Sequence, residues 1–98
     1  MICRLFLVIL LFSSISCKNH SEDNLNVLIK ALSSTDKSVR NSSALEIAGY
    51  GKSAKAAVPA LIKLLTTDKS RGIRISAAYA LRSIGTSEAV EALDNYKE

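Results

Sequence analysis

Side chains able to do chemistry are few in this 98-residue chain, and they are scattered. There is one histidine, His20, and there are two cysteines, Cys3 and Cys17. A zinc or iron site needs several His, Cys or carboxylate ligands converging on one point. His20 stands alone in a polar stretch, so no metal is expected. Nucleophilic catalysis needs a hydroxyl or thiol beside a base. Beyond residue 20 the chain has neither histidine nor cysteine, so no triad can be drawn. Gly49-Tyr50-Gly51-Lys52-Ser53 contains a Gly-Lys-Ser step. It lacks the first glycine of a phosphate loop and the strand that should precede one, so it reads as a helix end. Arg40 and Arg74 could clamp an acidic ligand, or serve the fold. The chain is expected to be no enzyme and to hold no cofactor.

Charge excludes another class. Thirteen Lys and Arg face nine Asp and Glu, a net charge of +4 spread along the chain. That balance is too weak to argue for nucleic acid. Lys37, Lys52, Lys55, Lys69 and Arg71 crowd positions between helices. They make either a weak patch for anionic lipid headgroups or an ordinary solvated surface.

The first 16 residues read as a signal peptide. Arg4 is a positive n-region, Leu5 to Phe12 (LFLVILLF) an apolar h-region, and Ser13-Ser14-Ile15-Ser16 a small, polar cleavage region. The apolar run is well short of the ~20 residues that span a bilayer. Ser14-Ile15-Ser16-Cys17 resembles a bacterial lipobox, in which a small residue precedes a cysteine that takes a diacylglycerol thioether and becomes the new N-terminus. Ser14 departs from the usual leucine. The resemblance implies lipidation of Cys17; a free thiol or an intermolecular bridge are the other readings. Several acyl chains would anchor the protein stably where one would not. Residues 17–23 then form a lipidated N-terminus and polar tether, and 24–98 the folded domain. Export to the cell envelope follows, membrane-anchored if lipidated, otherwise periplasmic or secreted.

What must position any site is a repeat. Leu28-Ile29-Lys30-Ala31-Leu32 returns as Leu61-Ile62-Lys63-Leu64-Leu65, Val39-Arg40 as Ile73-Arg74, and Ala57-Val58 as Ala89-Val90. The period is about 32–34 residues, which suits a helical hairpin. Leu25, Leu28, Ile29 and Leu32 fall at i, i+3, i+4 and i+7, as do Val58, Leu61, Ile62 and Leu65. Val39, Ser43, Ile47 and Tyr50 share a face, as do Ile73, Ala77, Leu81 and Ile84. Small residues (Ser43, Ala44, Ala77, Ala78, Ala80) allow close helix approach. Ser21, then Asp36 or Ser38, then Ser87 with Glu88 can open helices. Pro59 suits a helix start, and Gly51 and Gly85 suit helix ends. Five helices are expected, over 22–33, 37–49, 57–66, 72–84 and 88–96.

The pattern Asp-x-x-Val-Arg-x-x-x-Ala-x-x-Ile followed by glycine resembles HEAT repeats, especially the short kind also found in phycobilin lyases. Asp36, Val39, Arg40, Ala44, Ile47 and Gly51 carry it in the first unit. Asp68, Ile73, Arg74, Ala77, Ala78, Ala80, Leu81, Ile84 and Gly85 carry it in the second. The resemblance implies an all-α fold, a short α-solenoid of two hairpins plus a C-terminal helix. It also implies that Arg40 pairs with Asp36, and Arg74 with Asp68, in successive turns. Glu46 replaces a usual buried alanine, Tyr50 a usual isoleucine, and Arg71-Gly72 lengthens the second turn. In the last helix Asp94 and Lys97 stand where Ile62 and Leu65 do, as in a polar capping repeat that closes the chain.

In such stacks the second helix of each hairpin lines the concave side. Its outward positions are Asn41, Ser42, Leu45 and Gly49, then Ile75, Ser76, Tyr79, Arg82 and Ser83. Leu45, Ile75 and Tyr79 would make an apolar ridge edged by Arg82, a composition favoured at interface hot spots. Alternatively Leu45 and Tyr79 pack on each other or on a loop. The functional expectation is a lipid-anchored cell-envelope scaffold binding a protein partner. A lyase-like or chaperone-like factor acting on a cofactor-bearing protein is the alternative, by family analogy. Self-association through the open first helix is a further possibility.

Overall fold

A computed structural model describes residues 24–96. The signal segment, Cys17, His20, the tether, Ser21 and Lys97 lie outside the described residues. Within them are α1 (24–31), α2 (Lys37–Ala48), a 3₁₀ segment (Gly51–Ala57), α3 (Val58–Thr67), α4 (Arg71–Ile84) and α5 (Ser87–Asn95). The described residues form no strand. Every helix boundary that can be compared falls within two residues of its expected place, because the apolar stripes and their punctuation are local signals.

The architecture is an all-α repeat of two hairpins and a further helix. α1 and α2 make the first hairpin, α3 and α4 the second. α4 is the hub, packing on α2, α3, α5 and the 3₁₀ segment. The core consists of Leu32, Ile47, Val58, Leu61, Leu65, Ile73, Leu81 and Ile84, with small residues filling the closest approaches. Ser43 and Ala44 on α2, and Ala77 and Ala80 on α4, are all buried. Larger side chains there would force the α2–α4 pair apart. Glu46 is exposed, so it occupies no core position.

The apolar positions of the repeat are not buried evenly. Val39 is exposed, whereas Ile73, its counterpart on α4, is buried. Val90 is likewise exposed although Val58 is buried. Ile73 and Val58 lie inside the stack, with a neighbouring unit on either side. Val39 and Val90 belong to its outer described units.

Cap chemistry explains where the helices begin. Asp36 has extended backbone, and its Oδ1 accepts from the Ser38 amide at 2.9 Å. Thr86, rather than Ser87, caps α5 by accepting from the Ala89 amide at 3.2 Å. Pro59 occupies the first turn of α3. Ser70 holds the cap position of α4, so Arg71 and Gly72 lengthen that helix rather than the turn before it.

The seven-residue 3₁₀ segment was not expected. Its two buried residues are Ala54 and Ala57, and the helical backbone is interrupted by a kink at Ala54, with φ −92° and ψ 20°. Gly49 keeps right-handed backbone at the end of α2, and the chain turns at Gly51, with φ +57°. Gly85 ends α4 with φ +66°. A Cβ there would meet Arg82 O at 3.7 Å, an ordinary contact, so only the backbone conformation opposes a side chain. Gly85→Ala is expected to cost about 1–2 kcal/mol, read as a lower urea midpoint with unchanged slope. An unchanged midpoint would show that the helix end relaxes without cost.

Candidate functional site

Two constellations stand out, one holding the repeats in register and one facing solvent. The first is built on the arginines. Arg40 Nη1 donates to Ser34 O at 2.9 Å and Thr35 O at 3.2 Å, the carbonyls that end its own hairpin turn. Its Nε donates to Asp68 Oδ2 at 2.8 Å, and Nη2 to Oδ1 at 3.4 Å. Asp68 belongs to the next unit. The expected pairing of Arg40 with Asp36 is therefore corrected: Asp36 spends its carboxylate on the α2 cap, and Arg40 reaches across the stack instead.

Arg74 repeats the geometry one unit later. Its Nη1 donates to Asp68 O at 2.8 Å, six residues back, as Ser34 is from Arg40. Its Nε donates forward to the Tyr96 hydroxyl at 3.2 Å. Arg74 thus takes the main-chain carbonyl of Asp68, and not its carboxylate as expected. Each arginine closes its own turn and reaches into the following unit, where Asp68 and then Tyr96 receive it. Tyr96 was missed as a site residue; an aromatic side chain at the end of the expected last helix was the available signal, and the structure places it just beyond α5 with extended backbone.

The electrostatics of Asp68 follow from this position. Burial, the largest influence, opposes its charge: the side chain is only 4 % exposed, and Arg40 19 %. Hydrogen bonds from Arg40 and from the Ser70 amide outweigh it, aided by the charges of Arg40 and Arg74. The carboxyl is held below its ordinary value.

The second constellation is the ridge. Ile75 is 56 % exposed, Tyr79 54 % and Leu45 45 %, and Arg82 is exposed too. Ile75, Tyr79 and Arg82 lie at i, i+4 and i+7 on α4. Together with Arg74, Ala78, Leu93 and Tyr96 they line a cleft of about 410 Å³ between α4 and α5. Leu45 stands apart on α2 and does not line that cleft. Ser42, Gly49 and Ser83 are exposed, as expected. Asn41 and Ser76 are not outward: Ser76 is buried, and its hydroxyl donates to Asn41 Oδ1, tying α4 to α2.

The lysine-rich positions do not form one patch. Lys37 lines a recess with Ser70 and Ile73, while Lys52 and Lys55 line another beside Thr86. The two recesses share no lining residue. Among the described residues, no group of three or more His, Cys, Asp or Glu could hold a metal, and no helix is long and apolar enough to cross a membrane.

Comparison with known proteins adds the family. No curated protein matched the chain. No solved structure matched it. A family model described as HEAT repeats matches residues 25–96, which spans both hairpins and α5. Repeats of this family generally mediate protein–protein interaction. With the helical hairpins and the matched residues in agreement, the chain belongs to the HEAT-repeat family.

Proposed function

We propose that this protein is a lipid-anchored scaffold of the cell envelope that binds a protein partner through its helical-repeat surface, without catalysis of its own. The observation that carries the binding reading is the exposed Ile75–Tyr79 pair on α4, edged by Arg82 and opening onto the α4/α5 cleft. Large apolar and aromatic groups left in water beside an arginine are the composition of interface hot spots. Burying Tyr79 against a partner would remove its ring from water without disturbing the core, since that ring is not part of it.

Anchoring rests on different residues. An h-region of eight apolar residues followed by Ser16-Cys17 supports cleavage before Cys17 and its acylation. The tether would hold the ridge close to the membrane surface.

The test of binding is Tyr79→Ala combined with Ile75→Ala, scored by co-purification of the partner after cross-linking. Affinity should fall by roughly 10- to 30-fold, as for loss of a central hot spot, with thermal unfolding nearly unchanged. Unchanged recovery of the partner would remove the ridge from consideration. Mass spectrometry of membrane-extracted protein tests the anchor: a chain beginning at diacylated Cys17 is expected, and a soluble chain with a free Cys17 thiol would sink it.

A further inference from the structure

We infer that the α4/α5 cleft receives an acidic, apolar segment of the partner protein, one that sets a carboxylate beside apolar side chains. The inference rests on the partner-binding reading above and names the chemistry of what docks. The walls are apolar or aromatic: Ile75, Ala78 and Leu93 with the rings of Tyr79 and Tyr96. Both charged residues that line the cleft are arginines, Arg74 and Arg82, and no acidic side chain lines it.

Neither arginine has a carboxylate at hydrogen-bond distance among the described residues, although the Asp68 carboxylate, paired with Arg40, also feels the charge of Arg74. Arg82 has no carboxylate within ion-pair distance among the described residues. The acceptors that Arg74 meets at hydrogen-bond distance are a main-chain carbonyl and a phenol, both uncharged. Its bond to Tyr96 fixes the guanidinium at the cleft wall, so its orientation is set before any ligand arrives. A guanidinium presents several donors in a planar fork that matches a carboxylate. In a partly apolar cleft the attraction is screened less than on open surface.

Shape favours a polypeptide segment. A volume of about 410 Å³ is enough for a few side chains. The exposed Ile75–Tyr79 ridge continues the apolar surface outside the cleft, so a longer segment gains contact beyond it. A basic segment would bring like charges against Arg74 and Arg82. It would be rejected even if its apolar residues fitted.

The experiment uses the full chain in nonionic detergent and two fluorescent 12-residue peptides. Both carry leucine at i, i+3, i+4 and i+7; one has glutamate at the remaining charged positions and the other lysine. Each also carries a photo-cross-linker. The glutamate peptide is expected to bind at least tenfold more tightly than the lysine peptide, to weaken as salt rises, and to cross-link to Tyr79, Leu93 or Tyr96. Arg82→Glu should narrow that preference roughly fivefold while leaving thermal unfolding unchanged, since Arg82 is exposed. Equal binding of the two peptides, a preference insensitive to Arg82→Glu, or cross-links confined to other helices would overturn the inference. So would displacement of the peptide by anionic lipid vesicles that themselves protect Tyr79 and Tyr96 from cross-linking, because the cleft would then be a lipid site. If Tyr79→Ala still releases the partner while the peptides show no charge preference, the ridge stands and only the acidic chemistry falls.

Discussion

Arg40→Ala is expected to lower folded stability by about 3 kcal/mol, one of the two largest effects available in this chain. The change removes the cation that faces a nearly buried carboxylate, and it frees the carbonyls of Ser34 and Thr35. Breaking one side of a buried pair typically costs about 3–5 kcal/mol, and the partial exposure of Arg40 places it at the low end. A domain of this size has a net stability on the order of 5–10 kcal/mol, so the loss is a large fraction of it. The thermal midpoint should fall by roughly 10–20 °C. A fall of only a degree or two would show that the bridge contributes little.

The same bridge sets an acid limit. Asp68 titrates below its ordinary value of 3.8 in the folded chain. A depressed carboxylate adds stability that is fully present above its unfolded pKa and is lost as pH falls through the folded one. Wild-type stability should therefore decline below about pH 4, through the region where Asp68 takes up its proton. In Arg40→Ala that decline should be shallower, since much of what lowers the Asp68 pKa has gone. Urea midpoints measured from pH 2 to pH 7 on both proteins would show it. Parallel acid limbs would mean that other carboxylates govern the decline.

Leu81→Ala should cost about 3–5 kcal/mol. Leu81 is fully buried on α4, the helix that touches α2, α3, α5 and the 3₁₀ segment. A cavity there loosens both hairpins together rather than fraying one end. Val90→Ala, on the exposed side of α5, should change stability by less than ~0.5 kcal/mol. Urea unfolding of the two variants makes the comparison. Losses of similar size would contradict the placement of the core. The contrast matters because both positions carry apolar residues in the repeat pattern, and pattern alone does not rank them.

Much of the helical framework was legible beforehand because its causes are local. Val58, Leu61 and Leu65 declare a buried face by spacing, and all three are buried. Asp36 caps because its short carboxylate reaches an amide two residues on, a contact that needs no tertiary partner. Gly51 and Gly85 adopt positive φ, as their places at the expected helix ends suggested. The 3₁₀ segment escaped because its two buried alanines make too weak a pattern to separate from a loop.

The site was less legible. Ile75 and Tyr79 were placed outward by helical periodicity, and they are outward. Ser76 follows from the same periodicity yet faces α2, because the neighbouring helix lies close enough to meet it. Arg40 carries the larger lesson. A turn pair with Asp36 lies within reach along the chain, whereas Asp68 is 28 residues away and enters reach only when the second hairpin stacks on the first. Tyr96 joins Arg74 by the same stacking.

By itself, then, the sequence determined the helices, their ends, the repeat that relates them and the helical face bearing Ile75 and Tyr79. Those properties depend on spacing and backbone preference within a few residues. The tertiary structure decided which carboxylate each arginine meets, which serine turns inward, and that α5 closes one wall of a cleft with two arginines in it. Those depend on the offset between stacked hairpins. Local pattern marks the small buried residues of α2 and α4 but not the partners they meet, and the Ser76–Asn41 bond between those helices forms only on stacking.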